Sequence, residues 1–158
     1  MLKSKFKKLN SRAGFTIVEL LVVVSIIGIL AAVGVSLFSE PRAKSRDARR
    51  ESDIKELRKG LSLYSNDYGA YPICDLVALD GSTDCLSKAL RDAGAMSATP
   101  RDPRNNNGTC LTNNAFAYCY ESNNNGTNYS LYYRIETSSI KPSGLPLADS
   151  PGWYVINP

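Results

Sequence analysis

The stretch GFTIVELLVVVSIIGIL, residues 14–30, begins an apolar run that reaches Phe38 and holds one carboxylate, Glu19. A helix over residues 15–38 would be about 36 Å long at roughly 1.5 Å per residue, enough to cross the hydrocarbon core of a bilayer. An unpaired carboxylate in hydrocarbon costs roughly 2.5–3.5 kcal/mol even on lenient insertion scales. The sequence therefore predicts a transmembrane segment over residues 15–38, in which Glu19 needs a partner.

Positive charge is concentrated in front of this segment. Residues 1–14 contain five Lys and Arg and no acid, so the formal charge of +4 comes from this leader and gives no argument for nucleic-acid binding. The positive-inside rule places the N-terminus in the cytoplasm and the rest of the chain outside, where disulfides form. A removed signal peptide fits poorly, because the apolar run is too long and lacks a small-residue cleavage site. A plain single-span anchor is a second alternative.

A second helical pattern follows the apolar run. Apolar side chains recur there at spacings of three and four residues, which predicts one stripe on a helix: Ile54, Leu57, Leu61, Tyr64 and Tyr68. Residues 40–53 show charge instead of a stripe, which predicts either a solvated face or a surface for neighbouring subunits. Gly69 and Pro72 predict the end of the helix. We therefore expect one helix over residues 16–68, kinked at Pro41, with residues 39–68 as its amphipathic continuation.

Residues 69–158 are predicted to form a small globular domain. STDCLSKALRDAG, residues 82–94, is typical of a short helix, and alternating patterns predict strands over residues 116–121, 129–136 and 153–156. NNNGT, residues 123–127, predicts a hairpin turn between the first two strands. The predicted class is α+β, with a small antiparallel sheet packed on the second half of a long N-terminal helix.

The residues RAGFTIVELLVVVSIIGILAAV, 12–33, resemble the N-terminus shared by type IV pilins and type II secretion pseudopilins. That pattern is a basic leader, Gly, Phe, Glu and then an apolar helix. The resemblance implies a pilin-like fold, cleavage after Gly14 by prepilin peptidase, removal of residues 1–14, and methylation of the new amino terminus at Phe15. It also implies that Glu19 pairs with the Phe15 ammonium of a neighbouring subunit during filament assembly, and Thr16 could add a hydrogen bond.

The same resemblance implies a setting and partners. The chain would sit in the bacterial cytoplasmic membrane as a single span with its N-terminus in the cytoplasm, and then enter an extracellular or periplasmic homo-oligomeric filament. Its partners would be prepilin peptidase and an inner-membrane assembly platform with a cytoplasmic ATPase. Gly28, Gly34 and Pro41 form a weak stretch of helix by propensity, which in this family can unwind when the subunit leaves the membrane. The glycines could instead permit close helix packing.

Two classes of function remain on sequence grounds. The chain has no His, no phosphate loop and no nucleophile–base motif, which argues against an enzyme and leaves a structural subunit ahead of a membrane-anchored binding domain. GAYP, residues 69–72, resembles major secretion pseudopilins, whereas the four Cys and the Asn-rich loops resemble a pilin. We expect a type IV pilus-like subunit, with a type II secretion pseudopilin as the alternative.

The four cysteines allow three pairings, and their spacing contains no CxxC motif of the kind that favours zinc. We expect disulfides in the local pairing, Cys74 with Cys85 and Cys110 with Cys119. No cofactor is expected. Calcium, which some pseudopilins bind in a C-terminal loop, is the alternative kept open, with candidate ligands Asp80, Ser82, Asp84 and Asp102. The Asn-rich sequons at Asn107, Asn125 and Asn128 are not treated as glycosylation sites.

Overall fold

The computed structural model describes residues 14–37, 39–104, 109–112, 115–138, 140–147, 150 and 152–158. One compact unit ends at Ser39 and a second begins at Glu40. The helices are α1 (Ile17–Leu37), α2 (Ser39–Tyr68) and α3 (Cys85–Asp92). The strands are β1 (Val77–Ala78), β2 (Cys119–Ser122), β3 (Tyr129–Arg134), β4 (Leu145–Pro146) and β5 (Trp153–Ile156). The fold is α+β, with long N-terminal helical structure and a small antiparallel sheet, as predicted.

Helix α1 is apolar around its whole circumference. From Phe15 to Leu30, every Phe, Ile, Leu and Val side chain is between 48% and 86% exposed. Within the described residues, no helix combines the length and the apolar character that a membrane crossing requires. The transmembrane segment predicted over residues 15–38 therefore stays a prediction.

Helix α2 carries the predicted apolar stripe on its C-terminal half. Ile54, Leu57 and Leu61 are fully buried in the core of the domain. Tyr64 is partly buried against the same core. Tyr68, predicted to belong to the stripe, is 59% exposed and stacks on the Tyr64 ring with centroids 4.5 Å apart, because it lies at the last residue of the helix. The helix ends where Gly69 and Pro72 predicted, because Gly69 adopts a φ of +73° and its N–H donates to the Ser65 carbonyl at 2.8 Å.

The single helix predicted over residues 16–68 is described as two helices, on either side of residue 38, which lies outside the described ranges. Pro41 is the third residue of α2. Its missing N–H costs little there, because the first N–H groups of a helix have no intrahelical acceptor. The kink predicted at Pro41 stays a prediction.

The sheet has the order β1-β2-β3-β5-β4, and every neighbouring pair is antiparallel. Strands β2 and β3 form the predicted hairpin, with Cys119 opposite Tyr132 and Tyr120 opposite Leu131. Gly126 in its turn has a φ of +61°, and a Cβ there would lie 2.6 Å from the Tyr71 carbonyl oxygen. The turn therefore requires glycine for both its backbone angle and its close contact.

The pleat of the strands divides the buried side chains into two clusters. Tyr118, Tyr120, Leu131 and Tyr133 pack with the apolar stripe of α2 and with Leu86 and Leu90 of α3. Cys119 belongs to the second cluster with Ala115, Ala117 and Trp153. Neighbouring residues of a strand point to opposite faces of the sheet, so this alternation is what the aromatic pattern of β2 and β3 predicted.

Helix α3 was predicted correctly, since Asp84 is its N-cap and Gly94 follows its end with a φ of +68°. The first predicted strand was too long at its start, because residues 116–118 lie outside β2. Strands β1 and β4 were not predicted. Each has only two residues, so pairing with a neighbour defines it and no sequence period can reveal it.

Candidate assembly site

The first turn of α1 contains a capping box between Thr16 and Glu19. The Thr16 backbone N–H and hydroxyl both donate to Glu19 Oε2 at 2.9 Å, and the Glu19 N–H donates to Thr16 Oγ1 at 3.2 Å. This reciprocal pattern satisfies free N–H groups at a helix start. Among the described residues, no donor reaches Glu19 Oε1. Thr16 therefore fixes the carboxylate within its own chain while leaving one oxygen available.

Gly14 and Phe15 precede this turn in accessible backbone. Phe15 is 86% exposed, and in the described part of the chain no atom lies within 4 Å of the point where a Cβ on Gly14 would stand. The Gly14–Phe15 peptide bond is thus open to an extended-chain protease. Cleavage at this bond and methylation of Phe15 stay predictions.

The three residues predicted to weaken the N-terminal helix lie in two different helices, two of them in α1 and one in α2. Among the described residues, a Cβ on Gly28 would meet no atom within 4 Å, so no contact that the structure describes explains glycine there. Gly34 lies in the last turns of α1, and Pro41 is exposed in the first turn of α2. Their predicted role in unwinding stays a prediction.

The charged half of α2 is solvated on one side only, where Arg42, Lys44 and Arg49 are exposed, and its predicted use as a subunit surface stays a prediction. Its inward side is buried inside the domain: Asp47 and Arg50 are 0% exposed, Glu51 is 8% and Asp53 is 9%. Burying charge is costly unless each ion finds partners. Among the described residues, no buried side-chain N or O atom lacks a hydrogen-bond partner.

Arg50 is the centre of this buried network. Its guanidinium forms a two-pronged ion pair with Asp102, at 2.7 Å and 3.0 Å, and also donates to Asp47 at 2.6 Å and to Glu136 at 2.8 Å. Phe116 lies against its cationic group, 4.9 Å from ring centroid to guanidinium carbon. The planar guanidinium of arginine can bind several carboxylates at once and one of them bidentately, which the ammonium group of lysine cannot do.

Glu136 and Asp47 join α2 to the segment after β3. Arg46 binds Glu136 in a two-pronged pair at 2.8 Å and 2.6 Å. Asp47 accepts the N–H groups of Glu136 and Thr137 and the Thr137 hydroxyl, at 2.8–3.1 Å. Burial raises the pKa of Glu136, but the hydrogen bonds from Arg46 and Arg50 outweigh it and lower that pKa to about 2. Glu136 therefore stays ionised inside the domain.

Two further carboxylates of α2 bind tyrosines of the sheet. The Tyr133 hydroxyl donates to Glu51 at 2.7 Å, and the Ser143 N–H donates to the same carboxylate at 3.1 Å. The Tyr118 hydroxyl donates to Asp53 at 2.8 Å. Burial raises the pKa of Asp53, with the Tyr118 hydrogen bond opposing it. Helix and sheet are thus tied by directional bonds where the apolar stripe ends.

A signal for the network was present in the sequence. Extending the apolar stripe toward the N-terminus with the same spacing of three and four residues places Arg50 and Asp47 on the buried face. We did not predict this because charged side chains are almost never fully buried unless paired. The partners Asp102 and Glu136 lie 52 and 86 residues away from Arg50, and no local pattern connects them.

The cysteines form two disulfides in the structure, Cys74–Cys85 and Cys110–Cys119. Of the three pairings that four cysteines allow, this is the local one that we expected. Cys74 links the segment after α2 to the start of α3, and Cys119 links β2 to the preceding loop. In a domain with a small core, such bridges stabilise by restricting the unfolded chain.

The candidate calcium ligands have other partners. Asp80 accepts the Thr83 hydroxyl and the N–H groups of Ser82 and Thr83, the two N–H bonds at 2.7 Å, and these hydrogen bonds lower its pKa. Asp84 caps α3, and Asp102 binds Arg50. The described residues contain no group of three or more acidic, Cys or His side chains suited to a metal ion. The arrangement does not fit an oxygen cage for calcium.

Comparisons with known proteins relate the N-terminal segment to one protein family and a larger part of the chain to secretion proteins. Residues 9–35 match the family described as "Prokaryotic N-terminal methylation motif". The chain is 34% identical over 103 residues to type II secretion system core protein G of Vibrio cholerae serotype O1, covering 63% of this chain and 70% of that protein. It is 32% identical over 99 residues to the protein of the same name from Aeromonas hydrophila, covering 60% and 69%.

Pilins match over a shorter stretch. The type IV major pilin protein PilA of Myxococcus xanthus is 41% identical over 54 residues, which is 34% of this chain and 24% of that protein. No solved structure matches the chain significantly. Because the Vibrio protein is 34% identical and this chain covers 70% of its length, the chain belongs to the family of type IV pilins and type II secretion pseudopilins.

Proposed function

We propose that this chain is the structural subunit of a type IV pilus-like helical filament outside the cytoplasm, assembled through α1. One observation carries this proposal: from Phe15 to Leu30, α1 exposes apolar side chains around its whole circumference. A helix that is apolar on all sides belongs inside a membrane or in the core of a larger assembly. The role is structural and uses no catalytic group.

The membrane and the filament core would surround α1 one after the other. Before assembly, lipid would cover residues 15–38, with the basic leader holding the N-terminus in the cytoplasm. After removal of residues 1–14 by prepilin peptidase, α1 helices of neighbouring copies would cover one another. An assembly platform in the inner membrane and its ATPase would drive this transfer, which moves apolar surface from lipid to protein. Gly28 and Gly34 would let neighbouring helices approach closely or let α1 unwind during the transfer.

The assembly contact would use Glu19. Thr16 holds Glu19 Oε2, and Oε1 can accept a further donor without breaking the capping box. After cleavage, the methylated ammonium of Phe15 on a neighbouring copy is a donor of the right charge. The ion pair would form only in the correct axial register, which is the best-attested use of buried polar groups.

A type II secretion pseudopilus is the second candidate machine. The secretion proteins named above match this chain over 103 and 99 residues, whereas the Myxococcus pilin matches over 54. Deleting the gene separates the two. Loss of surface filaments and surface motility with normal protein secretion supports the pilus, and loss of secretion with normal surface filaments supports the pseudopilus.

Processing tests the proposal directly. Intact-mass measurement of filament subunits should show a chain that begins at Phe15 with a methylated amine. Gly14→Val should block cleavage, because a β-branched side chain is added at the cleaved residue, and Gly28→Ala in the same helix should be processed normally. Filament subunits that retain residues 1–14 would refute the proposed function.

A further inference from the structure

Charge is segregated along the chain between two adjoining segments. Residues 42–59 contain eight Lys and Arg, whereas residues 60–87 contain none and include four Asp. The first segment is most of α2, and the second runs from the end of α2 to the start of α3. Both belong to the unit that begins at Glu40.

The fold strengthens this segregation at the surface. Within residues 42–59, the buried network hides three of the four acids and leaves only Glu56 exposed, while six basic side chains are exposed: Arg42, Lys44, Arg49, Lys55, Arg58 and Lys59. In residues 60–87, three of the four Asp are exposed: Asp67, Asp75 and Asp80. A helix that is mixed in sequence thus presents a basic surface.

The acidic segment also exposes apolar side chains. Five large apolar side chains are exposed in the described part of residues 40–158, and four of them lie here: Leu63, Tyr68, Ile73 and Leu76. Their exposed fractions run from 43% to 59%. Apolar groups bordered by one sign of charge are typical of protein interfaces.

The basic surface contains a place for a partner. Lys55, Arg58 and Lys59 line an open groove of about 460 Å³, together with Tyr71 and Tyr129. The positions 55, 58 and 59 have the helical spacing that puts side chains on one face. The charged groups of this groove are cationic side chains, and its tyrosine rings can pack against apolar groups.

We propose that the acidic–apolar segment of one copy, defined by Asp67, Tyr68, Ile73, Asp75 and Leu76, docks on the basic face of the next copy, defined by Lys55, Arg58 and Lys59. This inference rests on the proposed filament and names a second contact in it, between globular domains. The two surfaces are different patches of the same chain. A contact of that kind is head-to-tail, and repetition of it builds an open helical polymer.

Charge reversal in the full-length chain tests this contact. One variant combines Lys55→Glu with Lys59→Glu, a second combines Asp67→Lys with Asp75→Lys, and a third carries all four changes. Lys88→Glu with Lys141→Glu is the matched control, because both side chains are exposed and lie outside the two segments. Cleavage after Gly14 and disulfide-dependent mobility on non-reducing gels verify that each variant is inserted and folded.

Each two-site variant should lower the amount of sheared filament by about tenfold or more, because it places like charges across the contact. The four-site variant should restore filaments to near the wild-type amount, since it exchanges the signs on both sides. The control should assemble normally. Filaments of normal yield from either two-site variant, or no recovery in a folded four-site variant, would overturn the contact. If wild-type subunits form no filament under the same conditions, the proposed function fails and the contact fails with it.

Discussion

Charge meets apolar surroundings in two regions of this molecule, and the two regions solve the problem differently. On α2, Asp47 and Arg50 are fully buried and every buried polar atom that the structure describes has a partner within the chain. On α1, Glu19 is exposed among apolar neighbours, and the residues that the structure describes supply donors to only one of its oxygens. Both oxygens of Asp47 have hydrogen-bond donors within the single subunit, whereas the described residues supply none to Glu19 Oε1.

The difference separates folding from assembly. Arg46 and Arg50 bind Asp47, Asp102 and Glu136, with Arg104 also 3.3 Å from Glu136. Glu51 and Asp53 accept the hydroxyls of Tyr133 and Tyr118, so each of these buried carboxylates has a partner inside the chain. Glu19 instead makes bonds that organise the helix start, and its Oε1, which no donor among the described residues reaches, is the oxygen proposed to meet a neighbouring subunit. Changes to the network should therefore alter the free energy of unfolding, and changes to Glu19 should alter filament formation alone.

The largest expected effect is the loss of filaments in Glu19→Ala. Insertion should be as good or better, because the segment becomes more apolar, and the Gly14–Phe15 bond is untouched. Each filament contact would bury an unpaired ammonium, and loss of one partner of a buried pair costs roughly 3–5 kcal/mol. The measurement is the fraction of processed subunit in membranes beside the amount in pelleted filaments.

Glu40→Ala is the control for that change, since Glu40 is an exposed acid paired with Lys44 at 2.7 Å. It should assemble normally. Glu19→Asp should be intermediate, because the charge is kept on a shorter side chain. Normal filaments from processed Glu19→Ala subunits would show that Glu19 has no partner in the assembly.

The next largest effect is expected from Arg50→Ala. It leaves Asp102 and Asp47 buried without their cation, which should lower the free energy of unfolding by roughly 3–5 kcal/mol. Denaturant unfolding of the detergent-solubilised chain can be followed by Trp153, the single Trp and fully buried. Arg49→Ala is the matched control: Arg49 is exposed and lies 3.7 Å from Asp53, so its loss should cost less than about 1 kcal/mol. Equal effects of the two changes would contradict a special role for the network.

Acid should weaken the domain through Glu136. Arg46 and Arg50 hold the pKa of this carboxyl at about 2 against the opposing effect of burial, below its ordinary value of 4.5. A lowered pKa in the folded state gives stability that is present above the unfolded value and lost as pH falls through the folded value. The free energy of unfolding should therefore fall between about pH 4.5 and about pH 2, by up to about 3 kcal/mol.

Glu136→Gln should be less stable than wild type at pH 7, and the difference should shrink toward zero as the pH falls to and below about 2, where the wild-type carboxyl becomes protonated. Glu19→Gln should keep the wild-type pH dependence, because Glu19 takes no part in the network. A Glu136→Gln curve parallel to the wild-type curve would show that acid acts elsewhere.

Sequence reasoning was most successful where local rules decide the structure. The apolar stripe of α2, the glycine at its end, the hairpin turn around Gly126 and the cap of α3 all depend on neighbours within a few residues. It failed at the buried network, because Arg50 finds Asp102 and Glu136 only after the chain has folded. It also could not assign the capping-box contact of Glu19 to Thr16, although the T-x-x-E spacing that signals it was present.

The smallest expected effect separates the two oxygens of Glu19. Thr16→Val keeps the branched shape of Thr16 and removes the hydroxyl that donates to Oε2 at 2.9 Å, while the Thr16 N–H still donates. The change also removes the acceptor of the Glu19 N–H. Replacing a capping hydroxyl costs about 1 kcal/mol at a helix start, so filament yield should fall severalfold and not vanish. Thr16→Ser, which keeps a hydroxyl, should assemble at close to the wild-type level. The charge on Glu19 remains in both variants, so Oε1 can still meet the neighbouring ammonium. Complete loss of filaments in Thr16→Val would mean that the hydroxyl itself enters the contact between subunits, and equal yields from Val and Ser would mean that the capping box does not position Glu19 for assembly.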